Sequence, residues 1–207
     1  MQKGLIIGAT GNLGRVVTQT LLGRTTAHLT LFARHVDRWQ VVEKDRVTLV
    51  KGDVLDAAQL SQAVAGQDFV FVALRGDLPA YVQAILSAMQ KAGVTRVIFI
   101  AAMGIYNEVA DDAAANLQQN VALAPYRAAA DLIERAPGVT YTIIRPGWFT
   151  QGPVAYELTR KGEAVGGHQV SLASVADLVR RLVTEPKFGH NANFGIHTPL
   201  IRKMRKA

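Results

Sequence analysis

The stretch Lys3-Gly4-Leu5-Ile6-Ile7-Gly8-Ala9-Thr10-Gly11-Asn12-Leu13-Gly14 decides the reading of this chain. A short apolar run stops at Gly8, and three glycines follow at the spacing Gly8-x-x-Gly11-x-x-Gly14. Beyond them Val16, Val17, Thr20, Leu21 and Leu22 recur at helical spacing, with Gly23 as a stop signal. Strand, glycine turn and helix form the context in which glycine spacing points to a nucleotide. A pyrophosphate needs close approach to backbone N–H groups at a helix N-terminus, where those groups are unpaired and the dipole is positive. A Cβ at Gly8 or Gly11 would stand where the chain turns tightly or where the phosphate must sit.

Working outward, apolar runs of strand length alternate with helical patterns, as βαβ units with a parallel sheet require. Further strands are expected at His28 to Ala33, Arg46 to Val50, Asp68 to Ala73, Thr95 to Ala101, Val139 to Arg145 and Asn193 to His197. Helices are expected at Asp56 to Val64, Leu78 to Ala92, Pro125 to Arg135 and Val154 to Arg160. Another opens at a Ser174/Asp177 capping box and runs to Val183. Asp111 to Asn120 reads as a loose helix or a mobile loop. The fold class is therefore α/β, a doubly wound parallel sheet in three layers. The 207 residues suffice for one such domain, placed at residues 1–201 with a small substrate-side insertion around 150–172.

Composition narrows the function classes. A hydrophobic content of 49% supports a large buried core rather than disorder. No apolar run approaches the roughly 18 residues of a membrane span, and no signal peptide is visible. Cysteine is absent, which removes disulfides and thiolate chemistry and fits a cytoplasmic protein. The formal net charge is +7, but Arg202, Lys203, Arg205 and Lys206 supply four of those charges from the last six residues, leaving +3 for the body. That pattern reads as a solvated basic tail at 202–207, with no nucleic-acid or membrane partner expected. The remaining excess suits a phosphorylated cofactor. The five histidines show no metal-ligand spacing.

In an open parallel sheet, ligands bind beyond the C-terminal strand ends where the strand order reverses. The loops at Gly8, Ala33, Asp53, Ala73, Ala102 and Pro146 should share that rim. NAD-binding folds usually place an acid at the end of the second strand to hold the ribose 2′-hydroxyl. Here that strand ends Phe32-Ala33-Arg34, and the first acid is Asp37. An arginine can pair with a 2′-phosphate, so the reading is NADP(H) preferred over NAD(H). Asp53 has two readings: it accepts a hydrogen bond from adenine with Val54 packed on the ring, or it caps the helix starting near Asp56.

Six segments, GATGNLG (8–14), FAR (32–34), GDVLD (52–56), IAAMGIY (100–106), PYRAAAD (125–131) and YTIIRPGWFT (141–150), resemble the atypical short-chain dehydrogenase/reductases. The similarity is specifically to the small NmrA-like and biliverdin-reductase-B-like NAD(P)H-binding proteins, and it covers nearly the whole chain. It implies a Rossmann domain that binds NADP(H) through Gly8, Thr10, Gly11, Asn12, Leu13, Arg34, Asp53 and Val54. The loops at Ala73-Leu74-Arg75 and Ala101-Ala102 would flank the nicotinamide ribose, and Pro146-Gly147 its nicotinamide end.

The departures from the superfamily are informative. Its Ser-Tyr-Lys set would need a serine where Ala102 stands and a lysine four residues past Tyr126, where Ala130 stands. An unassisted tyrosine, with a pKa of about 10, is a poor proton relay at neutral pH. Tyr126 is accordingly the first catalytic candidate, as a pocket wall or weak acid, and Tyr106 has a similar case. Arg127 cannot replace the lysine, because i+1 on a helix faces elsewhere. Met103, Tyr106, Trp148 and Phe149, with Tyr126 and Tyr156, suit a pocket for a flat acceptor. The expected activity is NADPH-dependent reduction of a small planar acceptor such as a quinone or flavin. The alternative is a non-catalytic NADP(H)-sensing regulator of the NmrA-like type, acting on a protein partner.

Overall fold

Side chains on successive strand residues point to opposite faces of a sheet, and β1 (Lys3–Ile7) shows this in its core. Ile6 joins one apolar cluster while Leu5 and Ile7 join the other, all three fully buried. In β5 (Arg96–Ile100), Ile98 and Ile100 likewise separate from Val97 and Phe99. Strands buried on both faces read as continuous apolar runs, and this is why the sequence signals a parallel sheet so clearly. The computed structural model describes residues 1–39, 44–185 and 187–199.

The main sheet runs in the order β3-β2-β1-β4-β5-β6-β10-β8. It comprises β2 (His28–Ala33), β3 (Val47–Lys51), β4 (Phe69–Val72), β6 (Thr140–Pro146), β8 (Glu157–Arg160) and β10 (Ala192–His197) besides β1 and β5. All pairs are parallel except β8 against β10. Helices α1 (Asn12–Arg24) and α5 (Leu172–Thr184) cover one face. Helices α2 (Ala57–Val64), α3 (Leu78–Ala92) and α4 (Ala124–Arg135) cover the other. The three-layer α/β expectation holds. The order in which strands are added reverses between β1 and β4, so the loops after those two parallel strands adjoin at the switch point.

Several local expectations need correction. Val154 to Arg160 is not a helix: Glu157–Arg160 is the edge strand β8, in register from Glu157↔His197 to Arg160↔Phe194. So short a segment cannot repay helix nucleation, and β10 offers it a ladder. Helix α5 starts three residues earlier than the Ser174/Asp177 reading. Ser171 is its N-cap, accepting from Ser174 N at 3.0 Å, and Asp177 instead accepts from Arg180 Nε at 3.0 Å and Tyr156 OH at 3.2 Å. Gly23 lies inside α1, which ends at Arg24.

Asp111 to Asn120 holds one 3₁₀ turn, Ala113–Ala115, within otherwise irregular backbone. It is pinned by Asn116, which is buried and pairs with Val109 through both its amide groups, at 3.0 and 2.7 Å. The sequence offers no periodicity for β7 (Trp148–Thr150) and β9 (Gln169–Ser171), which form a separate parallel ribbon. The basic tail at 202–207 lies outside the described residues.

Asp56 caps α2, its Oδ1 accepting from Ala58 N and Gln59 N, both at 3.0 Å. Asp56→Ala should lower folding stability by about 1 kcal/mol. The shift in urea midpoint at constant m-value measures it, and an unchanged midpoint would show that the cap is silent.

Candidate functional site

Each glycine of the first turn has its own physical reason. Gly8 has φ +87°, and a Cβ there would lie 2.2 Å from the Ala73 carbonyl oxygen, across the switch point. Gly14 packs the helix on the strand, since a Cβ would lie 2.3 Å from the Gly8 carbonyl oxygen. Gly11 differs. An added Cβ would meet nothing of the protein closer than Gly8 O at 3.4 Å, and its backbone (φ −72°, ψ 163°) suits any residue. The protein itself does not require glycine there, and the space beside it is open. Gly11 is also the N-cap of α1, yet no side chain caps that end and no acid lies in the first turn. Positively polarised N–H groups therefore face an open, uncapped cradle, which fits a dinucleotide pyrophosphate.

Around the cradle, Thr10 turns its carbonyl to Arg15 Nε at 3.0 Å, Asn12 is exposed, and Leu13 is buried as an anchor of α1. Gly8 N donates to Phe32 O at 3.2 Å and Ala73 N to Ile7 O at 3.0 Å, which fixes the ends of β1, β2 and β4 together. Arg34 and Arg75 stand exposed on this rim and form no hydrogen bond or ion pair among the described residues. Leu74, next to Arg75 in the chain, is half-buried against the core.

Asp53 is not the helix cap, that role belonging to Asp56. It closes its own turn instead, Oδ1 accepting from Leu55 N at 2.9 Å. Val54 beside it is buried.

At the other end of the rim, Ala101 N donates to Ile144 O at 2.8 Å and Met103 N to Pro146 O at 3.1 Å. These bonds splice the Ala101-Ala102-Met103 turn onto the end of β6. Gly147 admits the chain of His168, since a Cβ would lie 2.5 Å from its carbonyl oxygen. Trp148 and Phe149 follow on β7, 75% and 41% exposed. Their exposure makes them a surface wall rather than core.

Ala102 and Ala130 offer no titratable group to Tyr126. Ala130 is fully buried in the core beneath α4. Tyr126 is half-buried and its hydroxyl meets no hydrogen-bond partner among the described residues. Arg127 is committed elsewhere, with Nε donating to both Asp131 oxygens at 2.9 Å and Nη1 to Ile105 O at 3.3 Å.

Tyr106 belongs to a polar node. Arg127, Arg145 and Lys161 surround its ring, with charge centres 4.6, 5.3 and 4.4 Å from the centroid. Its hydroxyl accepts from Asn193 Nδ2 at 2.9 Å and donates to Glu134 Oε1 at 3.4 Å. Burial and the Glu134 carboxylate push its pKa up to about 12, so it keeps its proton throughout the neutral range. Beside it, fully buried Arg145 pairs with buried Glu108 and donates from Nε to Asn193 Oδ1 at 2.8 Å. Sequence reasoning missed this pair. Its one visible signal is an arginine closing the apolar run Val139 to Ile144.

Among the described residues no cluster of acids and histidines converges as a metal site, and no helix is long and apolar enough to cross a membrane.

The comparisons agree with this geometry. Residues 8–186 match the NAD(P)H-binding family. A Rossmann-fold NAD(P)-binding family protein from Shigella flexneri is 36% identical, with 96% of this chain and 94% of that one covered at a TM-score of 0.84. A short-chain dehydrogenase/reductase from Veillonella parvula, solved in complex with NADP, superposes at a TM-score of 0.87, with 24% identity and coverage of 96% and 95%. The NmrA-like family domain-containing oxidoreductase himF of Aspergillus japonicus is 29% identical over 157 residues, 72% of this chain. The chain spans about half the length of that curated relative, 47%. On the match over residues 8–186 and the uncapped glycine cradle, the chain belongs to the NAD(P)H-binding family, on a Rossmann fold.

Proposed function

We propose that this protein is an NADPH-dependent oxidoreductase that reduces a small planar acceptor, a quinone or flavin being the best-fitting class. The observation that carries the cofactor reading is the pairing of the open Gly11 cradle with Arg34 at the end of β2, where an acid would mark NAD(H). Gly8, Thr10, Gly11, Asn12 and Leu13 would hold the pyrophosphate, and Asp53 and Val54 the adenine. Ala73, Leu74, Arg75, Ala101, Ala102, Pro146 and Gly147 would line the path to the nicotinamide. When bound there, reduced nicotinamide supplies a hydride, and the fold's task is orientation.

The acceptor class follows from what the site lacks. With alanines at 102 and 130, the protein offers no built proton relay. Suitable acceptors are those that take a hydride and then a proton from water, as quinones and flavins do. Trp148, Phe149 and Met103 provide an apolar surface against which a flat ring can lie. The himF relative is named an oxidoreductase, in keeping with this reading.

Binding titrations on nucleotide-free protein test the first half. NADPH should bind at least about tenfold more tightly than NADH, the equivalent of one charge-assisted contact, and equal affinities would remove the role given to Arg34. An acceptor screen tests the second. Acceptor-dependent NADPH oxidation is expected; tight NADPH binding without turnover on any quinone or flavin would favour the second reading. That reading is an NADP(H)-sensing regulator acting on a protein partner, and Ala102 and Ala130 are the observations that favour it.

A further inference from the structure

Arg15 is the residue whose placement the fold alone does not explain. It follows the last glycine of the turn and points from the opening turns of α1. A cation there opposes the helix dipole, and no acid in the first turn offsets it. The side chain is nevertheless held in one pose. Its Nε donates to the Thr10 carbonyl at 3.0 Å, and its guanidinium lies 4.8 Å from the centroid of the Trp39 ring. Trp39 in turn packs against the core cluster shared by α1 and α5, and its N–H donates to Val36 O at 2.9 Å. The indole is thus a platform, with the guanidinium over its ring.

Those ties use Nε and one face of the guanidinium. Among the described residues its two Nη groups meet no acceptor and no carboxylate pairs with it. A rigid fork of free N–H donors is suited to a phosphate in a way that a mobile lysine is not. Its location fits as well. Arg15 is braced from the glycine turn on one side and from the segment just after β2 on the other, and Arg34 is the first residue of that segment. The Gly8 N to Phe32 O bond keeps those two segments adjacent.

We propose that Arg15, oriented by Trp39, is a specificity residue that reads the 2′-phosphate of the adenosine ribose together with Arg34. The inference rests on the cofactor reading above and adds a second guanidinium to it. Two guanidiniums on one dianionic phosphate match its charge, and the platform lowers the entropy lost when the fork engages.

The test compares wild type, Arg15→Gln and Trp39→Leu by titration with NADPH, NADH, adenosine 2′,5′-bisphosphate and adenosine 5′-monophosphate. Arg15→Gln should weaken NADPH and the bisphosphate about ten- to hundredfold, the loss of one or two charge-assisted bonds. NADH and the monophosphate should change by less than about twofold, since neither carries the phosphate in question. Trp39→Leu should shift the same pair of ligands in the same direction, by less. A brace for the turn and nothing more would weaken all four ligands equally, and that result overturns the proposal, as does no change in any. Wild type binding neither dinucleotide would sink the cofactor reading itself, and this proposal with it. Wild type binding both without an Arg15 effect on their ratio would sink the proposal alone.

Discussion

Exchanging Arg145 for Met should remove about 3–5 kcal/mol of folding stability, read as a drop in urea midpoint at constant m-value. The pair it breaks is closed off from water on both sides, with the Arg145 and Glu108 side chains 0% and 2% exposed. Methionine fills much of the volume, so the loss comes from charge rather than from a cavity. Glu108 would keep only the Tyr106 N–H at 2.8 Å, and Asn193 Oδ1 would lose its donor. A buried carboxylate left so poorly compensated is the costly state. The double variant Arg145→Met, Glu108→Leu should therefore regain part of the loss, because it removes the stranded charge too. A single variant within about 1 kcal/mol of wild type would show that the pair contributes as little as a surface bridge.

Gly11→Ala should do the reverse, sparing the fold and abolishing the site. Its backbone is already extended and its Cβ has room, so stability should stay within about 1 kcal/mol of wild type. Dinucleotide affinity should fall about hundredfold, because the methyl group holds the phosphate away from several N–H donors at once. Gly8→Ala is the control. It must adopt φ +87° and force a methyl group into the Ala73 carbonyl, at a cost of about 3 kcal/mol or more. Loss of folding in Gly11→Ala would show that the protein needs this glycine for itself. Unchanged NADPH affinity in a folded Gly11→Ala would place the cofactor elsewhere.

The fold was legible wherever one physical signal dominated. Continuous apolar runs gave the buried parallel strands, and His28–Ala33 and Leu78–Ala92 were bounded correctly to the residue. In the second case Asp77 caps the start and Gly93, at φ +69°, closes the end. Reading failed where long-range pairing decides. Glu157–Arg160 becomes a strand only because β10 lies alongside, and β7 and β9 find each other across the 151–168 excursion. Capping was misassigned for a related reason: Ser171 and Ser174 both fit a cap, and only the course of the chain from β9 into α5 chooses between them.

The site was half legible. Spacing exposed the glycine cradle, because a phosphate imposes the same geometry on any chain that binds it. Nothing local marks Glu108, which meets Arg145 from 37 residues away. Nor does anything local mark Trp39, whose ring meets Arg15 of α1 from the segment just after β2. Tyr106 was read as an apolar wall, and its three neighbouring cations come from α4, β6 and the turn after β8.

The position of β1 also bears on how the molecule is made. Lys3–Ile7 is the strand nearest the chain's first residue, yet it lies inside the sheet between β2 and β4. Its second neighbour arrives late: the Lys3 N–H bonds the carboxylate of Asp68, a separation of 65 residues. During synthesis β1 and β2 can meet early, but one hydrogen-bonding edge of β1 waits for β4. Closing so long a loop is slow, and an unpaired edge is what a nascent chain most needs shielded. The glycine turn that follows β1 bonds to β2 through Gly8 N–H to Phe32 O and abuts Ala73 after β4, so its surroundings are complete only when both neighbours of β1 are in place.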